Sequence, residues 1–407
     1  MNGNAEVIVA GHICLDIIPT LYEKRTSMDA LLAPGKLVNV GPAVISTGGA
    51  VSNTGIALHH LGCDVKLMGK IGADQFGQAI LTLLRELEPS LASGMIVSPD
   101  EHSSYSIVIS PPNMDRTFLH ATGANDTFSA SDLKQDQLHG AKLFHFGYPP
   151  LMKTMYEHEG TELATLLKKA KDTGLTVSLD MAKPDPESIA GKADWRTILT
   201  RTLPFVDVFL PSFEEIVYML DHERFDLMMK EARGGDLLPF ANGELLAQLS
   251  SELIQMGAAI VVIKLGEHGL YVRTTSDEKR FAQMGLCSPP QDQLGDWLNC
   301  ELISSCYEVD VVGTTGAGDS TIAGFLLGLT RTLTLTDSLQ TAVAVGACNV
   351  EYADATSGIP KWAVIVERIN KGWNKREMKL KLENWILNED QIWIGPHHKS
   401  KKESVES

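Results

Sequence analysis

The run Val312–Asp319, which reads Val-Gly-Thr-Thr-Gly-Ala-Gly-Asp, most narrows what this chain can fold into. Tyr307, Val309 and Val311 alternate before it, which predicts a strand, and apolar residues recur at helical spacing after it, which predicts a helix. A glycine-rich turn between a strand and a helix lets a ligand reach N–H groups that have no partner inside the helix. The sequence therefore predicts an anion-binding turn.

Asp319 falls in the first turn of the predicted helix, where its negative charge would repel an anion that is only bound. The position suits a carboxylate that takes a proton from a hydroxyl while that hydroxyl attacks a phosphoryl group. The plainer interpretation is an ordinary helix start, where aspartate and glycine are common. We predict Asp319 as the general base and the backbone N–H groups of Gly316, Ala317 and Gly318 as an anion hole.

The same run, followed by Ser320, Thr321 and Gly324, resembles the second signature of the ribokinase-like (PfkB) carbohydrate kinases. That signature usually reads Asp-Thr-Thr-Gly-Ala-Gly-Asp, and Gly313 stands here where the family has its first aspartate. The resemblance implies ATP and Mg²⁺ as cofactors. The missing aspartate leaves a K⁺ site doubtful, because some family members build their monovalent-cation site beside this loop.

Thr47–Asn53, which contains a Gly-Gly pair and precedes a helical pattern, resembles the family's first signature. The resemblance implies that Gly48, Gly49 and Asn53 line the sugar site; the local alternative is a Gly-Gly turn with Asn53 as helix cap. Asp16 follows the first predicted strand, and a carboxylate can accept hydrogen bonds from two neighbouring sugar hydroxyls. The family places an aspartate here for that purpose.

Two further motifs are less complete. Pro211–Glu215 resembles the family's Asn-x-x-Glu motif, with Glu215 retained, which implies a role in Mg²⁺ binding through water. A capping box between Ser212 and Glu215 is the local alternative, and both interpretations can hold at once. The run Lys264–Gly269 resembles the nucleotide loop, and the implied nucleotide-binding residues are Lys264, Gly266, Gly269, Thr314 and Asn349.

Short apolar strand candidates alternate with helical patterns along the chain, which predicts an α/β fold with a parallel sheet covered on both faces. The family resemblance implies a ribokinase-like three-layer sandwich with a small β lid. The predicted strands are Val7–Ala10, Val65–Ile71, Leu143–Phe146, Thr176–Leu179, Val206–Leu210 and Ala259–Lys264.

The expected organisation is a kinase domain over residues 1–370 and a C-terminal extension over 371–407 that ends in a disordered Lys/Ser-rich tail. Residues 13–44 and 103–119 are expected to form the lid that closes over the sugar, and a homodimer contact through it is possible. Residues 222–247 and 274–300 break the rhythm of strands and helices and are expected to be insertions.

The chain has 407 residues and a net charge of -16, which argues against nucleic acid as the main partner. It has no apolar run long enough to cross a membrane, and its first residues have no basic leader. The cysteines show no metal-ligand spacing, so we expect free thiols in the reducing cytoplasm. These are Cys14, Cys63, Cys287, Cys300, Cys306 and Cys348.

Together these patterns predict a kinase that transfers the γ-phosphoryl group of ATP to a hydroxyl of a small sugar or sugar derivative. A nucleoside kinase of the same fold and a catalytically silent sugar-binding regulator remain the alternatives. A dinucleotide oxidoreductase is disfavoured, because its glycine fingerprint would follow the first strand, and Gly11–Asp16 has one glycine.

Overall fold

A computed structural model describes residues 5–21, 33–110 and 117–399. Its strands are β1 (Val7–Gly11), β2 (Cys14–Pro19), β3 (Ala43–Gly48), β4 (Val65–Met68), β5 (Lys70–Gly72), β6 (Ile96–Ser98), β7 (Tyr105–Ile109), β8 (Thr117–Ala121), β9 (Leu143–Gly147), β10 (Thr176–Asp180), β11 (Val208–Phe209), β12 (Ile260–Lys264), β13 (Leu270–Thr274), β14 (Glu301–Ser304), β15 (Ile386–Leu387) and β16 (Ile392–Ile394). Its helices are α1 (Ala50–Leu61), α2 (Gln75–Leu87), α3 (Gln135–Leu138), α4 (Lys153–Tyr156), α5 (Thr161–Lys171), α6 (Trp195–Thr202), α7 (Phe213–Leu220), α8 (His222–Glu231), α9 (Gly243–Gln255), α10 (Glu278–Ala282), α11 (Leu294–Trp297), α12 (Ala317–Thr330), α13 (Leu335–Val350) and α14 (Trp362–Asn370).

The largest sheet has the strand order β15-β16-β14-β13-β12-β11-β10-β9-β1-β4. The strands β4, β1, β9, β10, β11 and β12 run parallel to one another. The remaining strands, β13, β14, β16 and β15, each pair with their neighbours in antiparallel fashion. Every residue of β1, β9 and β10 is buried, as a sheet covered on both faces requires. The predicted α/β fold is therefore confirmed.

Alternate residues of β1 enter two different cores. Val7 and Val9 belong to a cluster that includes residues of α1, α12 and α13. Ile8 and Ala10 belong to a second cluster that includes residues of α5, α6 and α7. Because successive side chains of a strand point to opposite faces, the sheet is the middle layer of three.

Three predicted strands differ in the structure. Val65–Ile71 divides into β4 in the large sheet and β5 in a separate two-stranded sheet, and Gly69 between them packs against Ile13. Val206–Leu210 shortens to β11. The strand predicted before the glycine-rich turn is wrong: Cys306 and Glu308 bond to residues 374 and 376 of the C-terminal extension rather than to a regular ladder.

A four-stranded sheet in the order β3-β2-β7-β8 stands apart from the large sheet. Strands β2 and β7 lie within the two segments that the sequence marks as a lid, and β3 and β8 begin inside those segments and run past their ends. Residues 22–32 and 111–116 of those segments lie outside the described residues. The domain limits, the closing motion of this sheet and a homodimer contact through it stay predictions.

The regions that break the sequence rhythm carry short elements of their own. The region 222–247 contains α8 and the start of α9, and the region 274–300 contains α10 and α11. The C-terminal extension supplies β15 and β16, which lengthen the large sheet beside β14. Its predicted disordered tail, apart from Lys399, lies outside the described residues. All six cysteines are free thiols, and no described helix is both long and apolar enough to cross a bilayer.

Candidate active site

Asp319 is buried at the start of α12, with 4% of its surface exposed, and three side chains donate hydrogen bonds to its carboxylate. Asn53 Nδ2 lies 3.0 Å from Oδ2, Thr54 Oγ1 lies 3.3 Å from Oδ1, and the Tyr148 hydroxyl lies 2.8 and 3.0 Å from the two oxygens. Burial raises the pKa of Asp319, while these donors and the charge of Lys264 oppose that rise. The carboxylate is thus desolvated but surrounded by groups that favour its charged form.

The glycine-rich turn leads directly into α12, as predicted. Gly316 caps the helix with φ 71°, and a Cβ there would lie 2.7 Å from the Cβ of Ala355, so the turn requires glycine. The Ala317 N–H donates a long bond of 3.3 Å to the Thr314 carbonyl, and Gly318 is exposed. The first N–H groups of this helix therefore sit at an accessible edge beside Asp319.

Gly313 lies tightly against the segment that follows α13. A Cβ at Gly313 would come within 2.9 Å of both the Ala353 Cα and the Tyr352 carbonyl oxygen. The aspartate of the usual signature given above would therefore fit here only after that backbone shifted.

We accordingly predict weak or absent activation by K⁺. Initial rates measured in K⁺ and in a larger, non-binding cation at equal ionic strength should agree within about twofold. A large activation by K⁺ alone would show that backbone carbonyls suffice for a cation site without this carboxylate.

Lys264, at the end of β12, forms a buried ion pair with Asp180, at the end of β10, with 2.5 Å between Nζ and Oδ1. Asp180 is 1% exposed on its side chain, and its Oδ2 has no hydrogen-bond partner among the described residues. The Lys264 side chain also reaches the glycine-rich turn, because a Cβ on Gly318 would lie 3.6 Å from its Cδ and 4.0 Å from its Nζ. One ammonium group therefore connects the ends of two strands with the predicted anion hole.

The charged groups in this cluster shift one another's pKa values. Burial raises the pKa of Asp180 to about 8, although Lys264 opposes the rise, and Glu215 and Asp319 add to it. Burial alone would lower the pKa of Lys264, but Asp180, Glu215 and Asp319 raise it above its ordinary value. Lys264 therefore keeps its charge at neutral pH, beside several competing carboxyl groups.

Glu215 forms the capping box that its local sequence predicts. The Ser212 N–H donates to Glu215 Oε2 at 2.6 Å, and the Glu215 N–H donates to Ser212 Oγ at 3.3 Å, which completes a capping box at the start of α7. Burial raises the pKa of Glu215, against the charge of Lys264 and the Ser212 hydrogen bonds. Its role toward Mg²⁺ stays a prediction.

The predicted sugar-binding residues meet where the small sheet joins the large one. A Cβ at Gly48 would collide with the Asp16 carboxylate, and a Cβ at Gly49, which has φ 85°, would lie 2.5 Å from His12 Nδ1. Cys14 Sγ donates to Asp16 Oδ1 at 3.3 Å. The Gly-Gly pair thus brings the backbone against two polar side chains, as a polar binding surface needs.

A histidine pair lies beside this surface. His12 Nε2 is 3.2 Å from His120 Nε2, and His120 Nδ1 is 3.0 Å from Ser106 Oγ. Burial, and then the neighbouring His120, hold the pKa of His12 well below its usual value, so this histidine is neutral at pH 7. His12 Nδ1 and Asn53 Oδ1 are buried and have no hydrogen-bond partner among the described residues. Both atoms can serve a polar ligand.

A cavity of about 320 Å³ opens on the other side of the glycine-rich turn. Of the residues predicted to bind nucleotide, Lys264, Gly266, Gly269 and Thr314 line it, together with Ala317 and Gly318 of the anion hole. Its apolar wall comes from the segment after β14 and from one face of α13: Tyr307, Val309, Val311, Val343, Ala347 and Val350. The mixture of an anion-binding end and an apolar wall suits a nucleotide.

Asn349 does not line this cavity. It is fully buried, and its Nδ2 donates to the Ala355 carbonyl at 2.7 Å, so it braces the loop that packs against Gly316. The neighbouring Val350 lines the cavity wall, and the role of Asn349 toward the nucleotide stays a prediction.

The sequence analysis missed Tyr148, Thr54, His12 and His120. Tyr148 follows β9 and His12 follows β1, so both stand at strand ends, where parallel sheets gather their ligands. That position is a signal that could have found them. His120 gave no such signal, because only the pairing of β7 with β8 brings it near His12.

The match of residues 4–362 to the model of the pfkB family of carbohydrate kinases covers most of the chain, so the chain belongs to this family of phosphotransferases with an alcohol group as acceptor. A curated relative, the 2-dehydro-3-deoxygluconokinase of Bacillus subtilis, is 25% identical over 333 residues, which are 77% of this chain and 83% of that protein.

Solved structures share the fold at lower identity. The fructokinase with bound ATP from Xylella fastidiosa has a TM-score of 0.63 and 17% identity, and the match covers 90% of this chain and 99% of that one. The Arabidopsis thaliana ribokinase complexed with ribose and ATP has a TM-score of 0.62 and 16% identity, with 89% and 98% covered. The ribokinase-like sandwich predicted from the sequence is therefore confirmed.

Proposed function

We propose that this carbohydrate kinase transfers the γ-phosphoryl group of ATP to a hydroxyl of a small sugar or sugar derivative, with Asp319 as general base. One observation carries the proposal: the buried Asp319 carboxylate is bonded to Asn53 of the predicted sugar site, while its neighbours Ala317 and Gly318 line the cavity that suits a nucleotide. A hydroxyl in that sugar site would have a base on one side and a phosphoryl donor on the other.

Asp319 would accept the proton of the attacking hydroxyl as the oxygen–phosphorus bond forms and the bond from phosphorus to the ADP oxygen breaks. Its donors, Asn53, Thr54 and Tyr148, favour the ionised carboxylate, which is the form a base needs. Burial, and then the charges of Asp319 and Asp180, raise the pKa of Tyr148 well above its ordinary value. The phenol therefore remains a donor throughout the neutral range.

Lys264 and the first N–H groups of α12 would stabilise charge on the transferring phosphoryl group, since both lie at the end of the cavity next to Asp319. The carboxylates of Glu215 and Asp180 suit Mg²⁺, which takes one or two carboxylates and keeps several waters; the unpartnered Asp180 Oδ2 fits this demand. When bound, Mg²⁺ neutralises charge on the nucleotide phosphates. Glu215 would act on it through water.

Asp16, Asn53 and the Gly48-Gly49 backbone would hold the acceptor. Asp16 would take hydrogen bonds from two hydroxyls, and the free Oδ1 of Asn53 would accept a third. The relative that acts on 2-dehydro-3-deoxygluconate makes sugar acids part of the acceptor class to be tested.

The test is a coupled ADP-release screen of the purified chain with ATP and Mg²⁺ over pentoses, hexoses, keto-deoxy sugar acids and nucleosides. We expect acceptor-dependent ADP release with a sugar or sugar acid. Turnover with nucleosides alone would favour a nucleoside kinase, and no turnover with any acceptor would favour a silent regulator.

Tyr148→Phe removes a donor from both oxygens of the Asp319 carboxylate. The pKa of Asp319 should rise, because the lost hydrogen bond favoured the charged form, and the acid limb of the kcat/KM profile should move to higher pH. Tyr218→Phe is the matched control, since the Tyr218 hydroxyl donates to the Gly191 carbonyl and contacts no residue of the site. An unchanged acid limb in Tyr148→Phe would show that Asp319 does not set it.

The small sheet is expected to close over the acceptor. Hydrogen exchange in β2, β3, β7 and β8 should slow when the true acceptor is added, and slow less with ATP alone, because these strands carry Asp16, Gly48 and His120. Equal protection by ATP alone would mean that the nucleotide drives closure, and the assignment of Asp16 to the acceptor would lose its support.

A further inference from the structure

The C-terminal extension reaches the cavity that we assign to the nucleotide. Arg376 is one of its lining residues, although the family match ends at residue 362. Its position is fixed by the backbone, since the Arg376 N–H donates to the Cys306 carbonyl at 2.8 Å and the Glu308 N–H donates to the Asn374 carbonyl at 2.9 Å. The extension therefore contributes to the lining of the cavity.

Stacked rings hold this part of the extension in place. Trp373 lies parallel to Tyr307 with 4.4 Å between ring centroids, and the Arg368 guanidinium lies 3.6 Å from the Trp373 ring. The Trp373 Nε1 donates to the Glu308 carbonyl at 2.9 Å. Because Tyr307 itself lines the cavity, the extension supports the apolar wall from behind while Arg376 enters at its edge.

The Arg376 guanidinium is held by one carboxylate of the nucleotide loop. Its Nη2 lies 2.7 Å from Glu267 Oε2, and Glu267 also lines the cavity. The two side chains are 37% and 49% exposed, so their ion pair is weak and easily exchanged for another partner. A planar cation poised at the edge of an apolar cavity suits an aromatic base, on which a guanidinium stacks and to which it donates hydrogen bonds.

The end of the cavity next to Asp319 is the one that we assign to the phosphates. Lys264, Ala317 and Gly318 mark the phosphate end, and Gly266, Cys306 and Arg376 line the cavity as a second group joined by its own hydrogen bonds. Cys306 Sγ donates to the Gly266 carbonyl at 3.4 Å, which joins the nucleotide loop to the segment that carries the extension. Arg376 therefore lies toward the base end.

We propose that the C-terminal extension is part of the nucleotide site, that Arg376 binds the base of the nucleotide, and that Glu267 is its competing partner. This inference rests on the nucleotide cavity proposed above. Binding of the base would exchange the Glu267 carboxylate for contact with the ring, and the Glu267 side chain would turn toward water.

The test is calorimetric titration of the full-length chain with MgADP and with adenosine. Arg376→Gln should weaken both ligands by about 5- to 50-fold, the range expected for a stacked cation with a charge-assisted hydrogen bond. Glu267→Gln should leave affinity unchanged or raise it up to about fivefold, because it frees Arg376. Lys371→Gln is the matched control, since Lys371 pairs on the surface with Glu367 and should change nothing.

The different responses of the two variants separate base binding from a structural role. If Arg376 only fastened the extension through Glu267, the two substitutions would weaken the ligand in the same direction, and the inference would be overturned. Loss of MgADP affinity without loss of adenosine affinity would place Arg376 on the phosphates and would overturn the base contact. If Arg376→Gln bound both ligands normally, the extension would have no part in the site.

The outcome for the wild-type chain distinguishes this inference from the proposed function. No binding of MgADP or ATP by the folded wild-type chain would contradict the nucleotide cavity itself. Normal binding by the wild type with no effect of Arg376→Gln would leave the kinase proposal intact and remove only the role of the extension. Thermal unfolding of each variant checks that the extension remains folded.

Discussion

Asp319→Asn is expected to lower kcat by about 10²–10⁴-fold, the range for a positioned general base. The amide is nearly the same size as the carboxylate but cannot take up the hydroxyl proton. Affinity for nucleotide should change little, because Asp319 faces Asn53, Thr54 and Tyr148 rather than the cavity lining. Steady-state kinetics and nucleotide titration of the purified variant measure the two effects separately.

Asp337→Asn is the matched control for this substitution. Asp337 is the third residue of α13, as Asp319 is of α12, but it is exposed and accepts a hydrogen bond from Thr334 Oγ1. The control should keep normal turnover, with at most a small loss of stability from the helix start. Near-normal kcat in Asp319→Asn would show that another group takes the proton.

Lys264→Met is expected to have the second large effect, on both stability and rate. Removal of one partner of a buried ion pair costs about 3–5 kcal/mol where Asp180 would otherwise be ionised, because its charge is left without a counter-charge. Turnover should fall by about 10²–10³-fold, as for the loss of one donor to developing charge. Urea unfolding and steady-state kinetics of the variant provide the measurements.

The loss of stability should depend on pH. The pKa of Asp180 is raised to about 8 in the folded chain even with Lys264 present, and it should rise further without Lys264. Below about pH 8 both folded chains keep the Asp180 proton, and above it only the variant does, so the cost of the substitution grows as the pH rises past about 8. The cost of Lys264→Met should therefore be small near pH 6 and larger near pH 9.

Two variants complete this experiment. Lys264→Met with Asp180→Asn should recover much of the stability at pH 9 but not the rate, because the ammonium group beside Gly318 is still missing. Lys171→Met is the control: Lys171 pairs with the buried Asp207, which keeps Arg280 as a second partner at 2.7 Å. An equal loss at pH 6 and pH 9, or recovered turnover in the double variant, would contradict the account of Lys264.

The turn before α12 could be predicted because its chemistry is local. The conformation of Gly316, the start of the helix at Ala317 and the place of Asp319 all follow from eight consecutive residues. The buried strands were equally readable, since an uninterrupted apolar run such as Val7–Ala10 predicts a strand covered on both faces.

The contacts of Asp319 and Lys264 could not be predicted in the same way. Tyr148 reaches Asp319 across 171 residues of sequence, and Lys264 reaches Asp180 across 84. Tyr148, Asp180 and Lys264 stand at the ends of parallel strands at one edge of the sheet, where the helix that carries Asp319 also begins, and the order of those strands is a property of the whole fold. The position of a residue after a strand was the available signal.

The strand predicted before the glycine-rich turn depended on a pairing partner that the sequence pattern does not identify. Tyr307, Val309 and Val311 alternate as a strand does, but alternation does not say whether an edge remains for pairing; here residues 373–376 of the extension take that place. The bond from Asn349 to the Ala355 carbonyl also had no signal in the sequence, and the role of Asn349 toward the nucleotide stays a prediction.

The most direct test of the central claim follows the γ-phosphoryl group itself. ATP labelled at the γ-phosphate is incubated with the chain, Mg²⁺ and the acceptor found in the screen, and the products are separated and identified by mass. The account predicts that the label is recovered in a phosphomonoester of the acceptor at a rate equal to ADP release, and that Asp319→Asn abolishes most of it. Label recovered only as inorganic phosphate, or transferred equally well by Asp319→Asn, would contradict it.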